Sequence, residues 1–316
     1  MSNKIFQQIR KELDRHIIGH SEVKTALLLG LLSREHIYIE GTPGTAKTML
    51  SEIVAACAQL KFFFYQLHRD TRLSELVGDM VISKESVDEE EIIRQKIVKG
   101  GILTSEICLL DDISRAPGES LNVLLRILNE RKFFEDPLPL MTAIATSNPT
   151  ADEYYNEPLD PANLDRFVLQ IKSFGTAYKR DWDLAGDIIS LYSSRDEEVE
   201  VPKLLERGAL DKLHEQVKAA PIPKAVQNGL KEFIRILVED FGLDETNSLI
   251  SDRTFFVKAL KIIRAYAVLN GRKSCTMQDL EVLKYITVFR IPPEVYAQID
   301  AILEQIKSKK KTVTKS

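Results

Sequence analysis

Residues 36–48, His36-Ile-Tyr-Ile-Glu-Gly-Thr-Pro-Gly-Thr-Ala-Lys-Thr48, run from a short apolar stretch through a Gly/Pro turn into the start of a helical pattern. A strand, a glycine-bearing turn and a helix start, in that order, describe one unit of a parallel sheet. Its turn and helix N-terminus present successive backbone N–H groups to an anion. Gly41, Thr42, Pro43, Gly44, Thr45, Ala46, Lys47 and Thr48 fit a phosphate-binding loop. In such a loop Lys47 would reach the β- and γ-phosphates and the Thr48 hydroxyl would coordinate Mg²⁺. The position before the lysine holds Ala46, where glycine is usual. A methyl group disfavours positive φ, so an ordinary backbone conformation is expected at Ala46 as the chain enters the helix. By itself the loop specifies a nucleoside triphosphate and no more.

The rest of the chain supplies the sheet such a unit requires. Ile5, Ile9 and Leu13 recur at helical spacing, and a second helix is expected over about 22–32 with Ser21 as its cap. A helix from Lys47 to about Leu60 follows the loop. Phe62-Phe-Phe-Tyr-Gln-Leu67 reads as a strand buried on both faces, since continuous apolar runs mark the interior of parallel sheets. Residues 73–101 interrupt the alternation. The acidic run Asp88–Glu91 lies there between Met80-Val-Ile82 and Ile92-Ile93, as in a hairpin insertion.

A second chemical signal is Ile107-Cys-Leu-Leu-Asp-Asp112, an apolar strand ending in two acids. Strands of an open α/β sheet deliver their C-terminal residues to the ligand crevice. Asp111 is placed there to hold Mg²⁺ through water, and Asp112 to orient or deprotonate a water attacking the γ-phosphate. A helix over 120–131 and a strand from Met141 then lead to Asn148, which can donate to a phosphate oxygen or hold that water. Arg166 stands at the entry to the last strand. An arginine there can neutralise transition-state charge on the γ-phosphate of a neighbouring subunit, the alternative being a surface pair with Asp165.

Beyond residue 195 strand signals stop. Helical periodicity covers 204–218, 222–239, 253–270, 277–288 and about 293–306, as in a separate all-helical domain entered through the polar segment 193–198. Arg253 opens one of these helices behind Ser251-Asp252. The dipole mildly disfavours a cation at that end, which makes a phosphate contact the better reading. The sequence ends in the basic run Lys307–Ser316, expected to be a disordered tail.

Composition narrows the partners. A net charge of −4 gives no footprint for a dedicated duplex-binding surface, so nucleic acid is not expected. No apolar run is long enough to span a bilayer, and none opens the chain, so a cytoplasmic protein is expected. Cys57, Cys108 and Cys275 lie in apolar patterns without metal-ligand spacing and read as buried, reduced thiols, and the five histidines as structural or surface residues.

The loop, the paired acids, Asn148, Arg166 and Arg253, in this order, resemble the AAA+ ATPases and more narrowly the MoxR family. The resemblance is carried by Gly41–Thr48, Leu109-Leu-Asp-Asp-Ile-Ser-Arg-Ala-Pro117, Ala145-Thr-Ser-Asn-Pro149 and Leu164-Asp-Arg-Phe167, and extends over roughly residues 10–290. Ser251-Asp-Arg253, Ala265–Arg272 and Leu128–Lys132 are most similar to the branch of the regulatory ATPase variant RavA. The resemblance implies an α/β AAA+ core over residues 1–195, a parallel five-stranded αβα sandwich, with the hairpin inside its second helix. An all-α lid would occupy 196–306. It also implies that Asp111 is the Walker B acid, Asn148 sensor 1, Arg166 the arginine finger and Arg253 sensor 2. ATP and Mg²⁺ would be bound between subunits of a homo-oligomeric ring, a hexamer. The ring would remodel or mature protein clients with a von Willebrand factor A-domain partner. Two other AAA+ functions stay open at this point: a nucleic-acid-remodelling motor and the ATPase subunit of a metal chelatase.

One residue departs from the family pattern, which has glutamate where this chain has Asp112. A base displaced by about 1 Å can lose on the order of 10²-fold in rate, so slow hydrolysis is expected.

Overall fold

The computed structural model describes residues 2–87, 90–149, 159–175, 179–193, 200–250 and 252–313. Most of the polar segment 193–198, Asp88 and Glu89 of the acidic run, Ser251 and the last three residues of the tail lie outside them.

In chain order the elements are α1 (Ser2–His16), α2 (Ser21–Ser33), β1 (Ile37–Gly41), α3 (Lys47–Cys57), β2 (Phe62–Gln66) and α4 (Leu73–Val77). Then come β3 (Gly78–Val87), β4 (Glu90–Lys99), β5 (Ile107–Asp111), α5 (Gly118–Glu130), β6 (Lys132–Phe133), β7 (Asp136–Pro137), β8 (Thr142–Ser147), α6 (Pro161–Leu164) and β9 (Leu169–Ser173). Helices complete the chain: α7 (Trp182–Ser193), α8 (Arg207–Ala219), α9 (Lys224–Arg235), α10 (Asp252–Leu269), α11 (Lys284–Thr287), α12 (Pro293–Tyr296) and α13 (Ile299–Val313).

Five strands form one parallel sheet in the order β2-β5-β8-β1-β9. All its strands therefore end on one edge, where Gly41, Asp111 and Ser147 are the last residues of β1, β5 and β8. Ile107–Leu110 and Thr142–Ser147 are buried throughout, as apolar runs inside a two-faced sheet must be. β2 differs from expectation. Among the described residues it pairs only with β5 and is the edge strand, with Phe64 42% exposed, because an apolar run specifies burial in principle but not which strand finds two neighbours.

The insertion is a hairpin, β3 against β4 in antiparallel register from Gly78↔Lys99 to Val87↔Glu90. It stands between α4 and the turn at Gly101–Leu103.

α2 explains how the helical C-terminal part attaches. Its residues Val23–Ser33 are all buried and predominantly apolar, the mark of a helix with almost no solvent face. One side packs on β1 and β9 and the other on α8 and α10. The buried cluster containing Leu27 and Leu31 of α2 continues through Leu213, Ile262 and Leu303. The C-terminal helices pack on the sheet's outer layer through this shared core. The first residue of α2 is Ser21, and its cap is His20 in the left-handed region (φ 52°) with no side-chain cap bond, so Ser21 does not cap as expected. The expected disordered tail from Lys307 is, through Val313, the last part of α13.

Candidate active site

The loop after β1 is bent by two left-handed residues, Gly44 at φ 79° and Ala46 at φ 54°. Glycine enters that region freely, whereas an alanine is strained there by about 1–2 kcal/mol. The expected ordinary conformation at Ala46 is therefore wrong. The residue is the N-cap of α3, and alternating backbone handedness turns successive N–H groups inward, a geometry that the local spacing alone does not reveal. Gly41 is required for another reason: a Cβ there would come within 2.6 Å of the Ser173 carbonyl on β9.

Lys47 is the first residue of α3 and is buried, with Nζ donating to the carbonyls of Gly41 (2.8 Å) and Thr42 (3.0 Å). Burial pulls its pKa down, opposed by the negative charges of Asp111 and Asp112. Across from it, Thr146 Oγ1 donates to Asp111 Oδ1 and accepts from the backbone N–H of Asp112 at 3.3 Å. Asn148 Nδ2 donates to Asp112 Oδ1 at 3.2 Å. Asp112 itself is left-handed, at φ 53°. Aspartate is enriched several-fold in that region relative to most residues. The backbone thus supplies a reason for aspartate where the family pattern has glutamate.

These groups surround one cavity of about 510 Å³, lined by Pro43–Met49, Gln66, Asp111, Asp112, Arg115 and Asn148. Local sequence patterns assign no role to two of its polar residues. Gln66 is the last residue of β2, in register with Asp111, so its position at a strand's C-terminal end was the available signal. Arg115 follows Asp112 by three residues in a 3₁₀ turn, which stacks residue i+3 over residue i. Its guanidinium lies 3.5 Å from Asp112 Oδ2.

Among the described residues, no three His, Cys, Asp or Glu side chains gather as a metal site. Mg²⁺ commonly takes one or two protein ligands and completes its shell with water and substrate phosphates. Thr48 and Asp111, on the same cavity, fit that requirement. The arrangement can hold a phosphate chain, a divalent cation and a water within reach of a carboxylate.

Neither of the two arginines lines the cavity. Arg166 is half-buried and its Nη1 donates to the Leu125 carbonyl of α5 at 3.0 Å. Arg253 is exposed in the first turn of α10. The alternative of an Asp165–Arg166 surface pair is not what the structure contains. Asp165 is paired instead with Lys258 (3.0 Å) and Arg290 (3.1 Å) from the C-terminal helical part. The three cysteines are free and buried, as expected, and burial pushes the Cys57 thiol up to about 12 and that of Cys275 to about 11.

Comparison with known proteins bears on the family and the fold. Residues 4–180 match the family described as the MoxR domain in the MoxR-vWA-beta-propeller ternary systems, and residues 228–293 match an AAA lid domain. An uncharacterized protein of Methanocaldococcus jannaschii is 31% identical over 89% of this chain and 69% of its own length. Chaperone MoxR1 of Mycobacterium tuberculosis is 26% identical over 93% of this chain and 78% of its own length. In fold, the chain is similar to the crystal structure of a candidate ATPase from Cytophaga hutchinsonii, with a TM-score of 0.75 and 22% identity, over 96% of this chain and 94% of that one.

Proposed function

The chain belongs to the MoxR family of AAA+ proteins, and from that premise we propose that it binds ATP with Mg²⁺ in the cavity beside α3 and hydrolyses it within a hexameric ring. The observation that carries this reading is the convergence of Lys47, Asp111, Asp112 and Asn148 on that one cavity from two strand ends and a helix start.

Each group has a defined task. The amides of the loop and Lys47 hold the phosphates, Lys47 exchanging its bonds to the Gly41 and Thr42 carbonyls for phosphate oxygens. Thr48 and Asp111 would hold Mg²⁺, which would supply charge neutralisation to the phosphates. Asp112 orients a water and takes its proton, and Asn148 fixes the carboxylate for that step. Arg166 serves the site of the adjacent subunit, consistent with its place outside its own cavity, and Arg253 reaches the nucleotide when the helices of the C-terminal part close on the core. Phosphoryl transfer to water needs positioning and charge stabilisation and no covalent nucleophile.

In this reading residues 1–195 are the core and 196–306 the lid. The ring acts in the cytoplasm as a chaperone-like remodelling or maturation factor for protein complexes, with a von Willebrand factor A-domain partner. The family's description names vWA proteins alongside the MoxR domain, and no helix of the described residues is long and apolar enough to cross a membrane. Mg²⁺-dependent ATPase measurement with and without Lys47→Ala, paired with mass photometry, tests it. The expected result is assembly on adding Mg·ATP and loss of at least about 10²-fold in turnover with Lys47→Ala. A chain that stays monomeric under every condition would remove the role of Arg166.

A further inference from the structure

Arg166 sits in a segment gripped from the lid side. Lys258 of α10 donates through Nζ to the Asp165 carbonyl at 2.6 Å and to Asp165 Oδ2 at 3.0 Å. Arg290 is 3% exposed and spreads its donors over the same stretch. Its Nε bonds Asp165 Oδ1 at 3.1 Å, its Nη2 the carbonyls of Phe167 at 3.0 Å and Asp165 at 3.3 Å, and its Nη1 the Val168 carbonyl at 3.1 Å. Bonds therefore fix the backbone on both sides of Arg166, while its own side chain leans on α5.

A buried guanidinium with several fixed acceptors holds one geometry, because a shift of the segment would strand a charge away from water. Lys258 also shares α10 with Arg253, five residues earlier, which is about 7.5 Å along the helix axis. One rigid element thus carries the cation assigned to the subunit's own nucleotide at its N-terminus and a grip on the residue before Arg166 one and a half turns on.

We propose that Lys258 and Arg290 are positioning residues that tie Arg166 to the lid, so that the lid's place over one subunit's nucleotide sets the charge delivered to the neighbour's. The proposal rests on the ring reading above. It adds a direction to it: information passes from a subunit's lid to the next subunit's hydrolysis through Asp165.

The test uses full-length protein and mixed rings. Lys258→Met keeps the aliphatic stem of a residue that is only partly buried, and is expected to lower kcat by about 10²-fold with KM for ATP unchanged, as for a reacting group displaced by about 1 Å. Lys258→Arg restores at least part of the rate. Subunits carrying Lys258→Met have an intact cradle and a misplaced finger. Mixing them with Asp112→Asn subunits, which have an intact finger and an inactive cradle, is expected to recover activity that neither shows alone. Arg166→Ala mixed with Asp112→Asn is the control. If the control mixture recovers and the Lys258→Met mixture does not, or if Lys258→Met hydrolyses ATP at the wild-type rate, the clamp is refuted while the shared site stands. If the control itself fails to recover, Arg166 does not act across subunits and both readings fall.

Discussion

Two groups of cationic side chains bear on the proposed reaction, and they sit in opposite circumstances. Lys47 is buried, bonded to the loop that carries it and opposed by two carboxylates on the same cavity. Arg166 and Arg253 lie outside that cavity, one against a helix carbonyl and the other in solvent. The cradle is finished within one chain because parallel strands end on the same edge and converge there by construction. The arginines occupy element ends with no such convergence, and in the proposed reading a neighbouring subunit or movement of the lid brings their targets to them. A site built this way can switch hydrolysis on without rebuilding the pocket.

The sharpest way to break this contrast is Arg166→Ala. Kinetics should show kcat falling by about 10³-fold while nucleotide affinity, read by calorimetry, stays within a factor of about two. An equal loss of affinity would place Arg166 in the cis pocket and end the distinction.

The frame behind the cradle can be probed by pH. His36 accepts the Ala143 N–H at Nδ1 (2.9 Å) and bonds the Leu128 carbonyl at Nε2 (2.8 Å), and burial holds its pKa down to about 3. Between pH 6.5 and about 3 the unfolded chain takes up a proton that the folded chain refuses, so stability falls as pH falls, by up to about 1.4 kcal/mol per unit. His20 and His214, also shifted down mainly by burial, add to the same trend. Denaturant titrations from pH 7 to 5 should show it, with a shallower slope for His36→Asn; an unchanged slope would deny His36 this part.

A smaller effect is expected at the second acid. Asp112→Glu should raise turnover by up to about tenfold through its added reach. It should also lower stability by roughly 0.5–1 kcal/mol, because φ 53° suits aspartate better than glutamate. Unchanged or lower turnover would show that the shorter acid does not limit the rate. Smallest of all, Ala46→Gly should stabilise the fold by about 1 kcal/mol in thermal unfolding by releasing the left-handed strain of the loop, with ATPase altered by less than about threefold. A larger change in rate would mean that the alanine tunes the cradle.

Several elements were legible because their signals are local. The loop, the acids at the end of β5 and the C-terminal helices each follow from runs of a few to eighteen residues. Misreadings arose where distant partners decided the outcome. Phe62–Gln66 is apolar enough for an interior strand, yet the sheet order leaves it at the edge. Asp165 offers no clue that its partners lie 93 and 125 residues away at Lys258 and Arg290. The turn that lays Arg115 over Asp112 was a local feature that periodicity does not mark.

The sequence alone determined the parallel αβα core, the glycine-bearing loop before α3 and most of the polar groups that line the cavity, because side-chain periodicity, turn chemistry and strand-end placement act over a few residues. Only the tertiary structure decided which strand became the edge, that α2 is shared between the sheet and the lid helices, and that the segment bearing Arg166 is held by the lid. Those outcomes depend on which buried surfaces and which charges find each other across more than ninety residues of chain, and no local pattern encodes that choice.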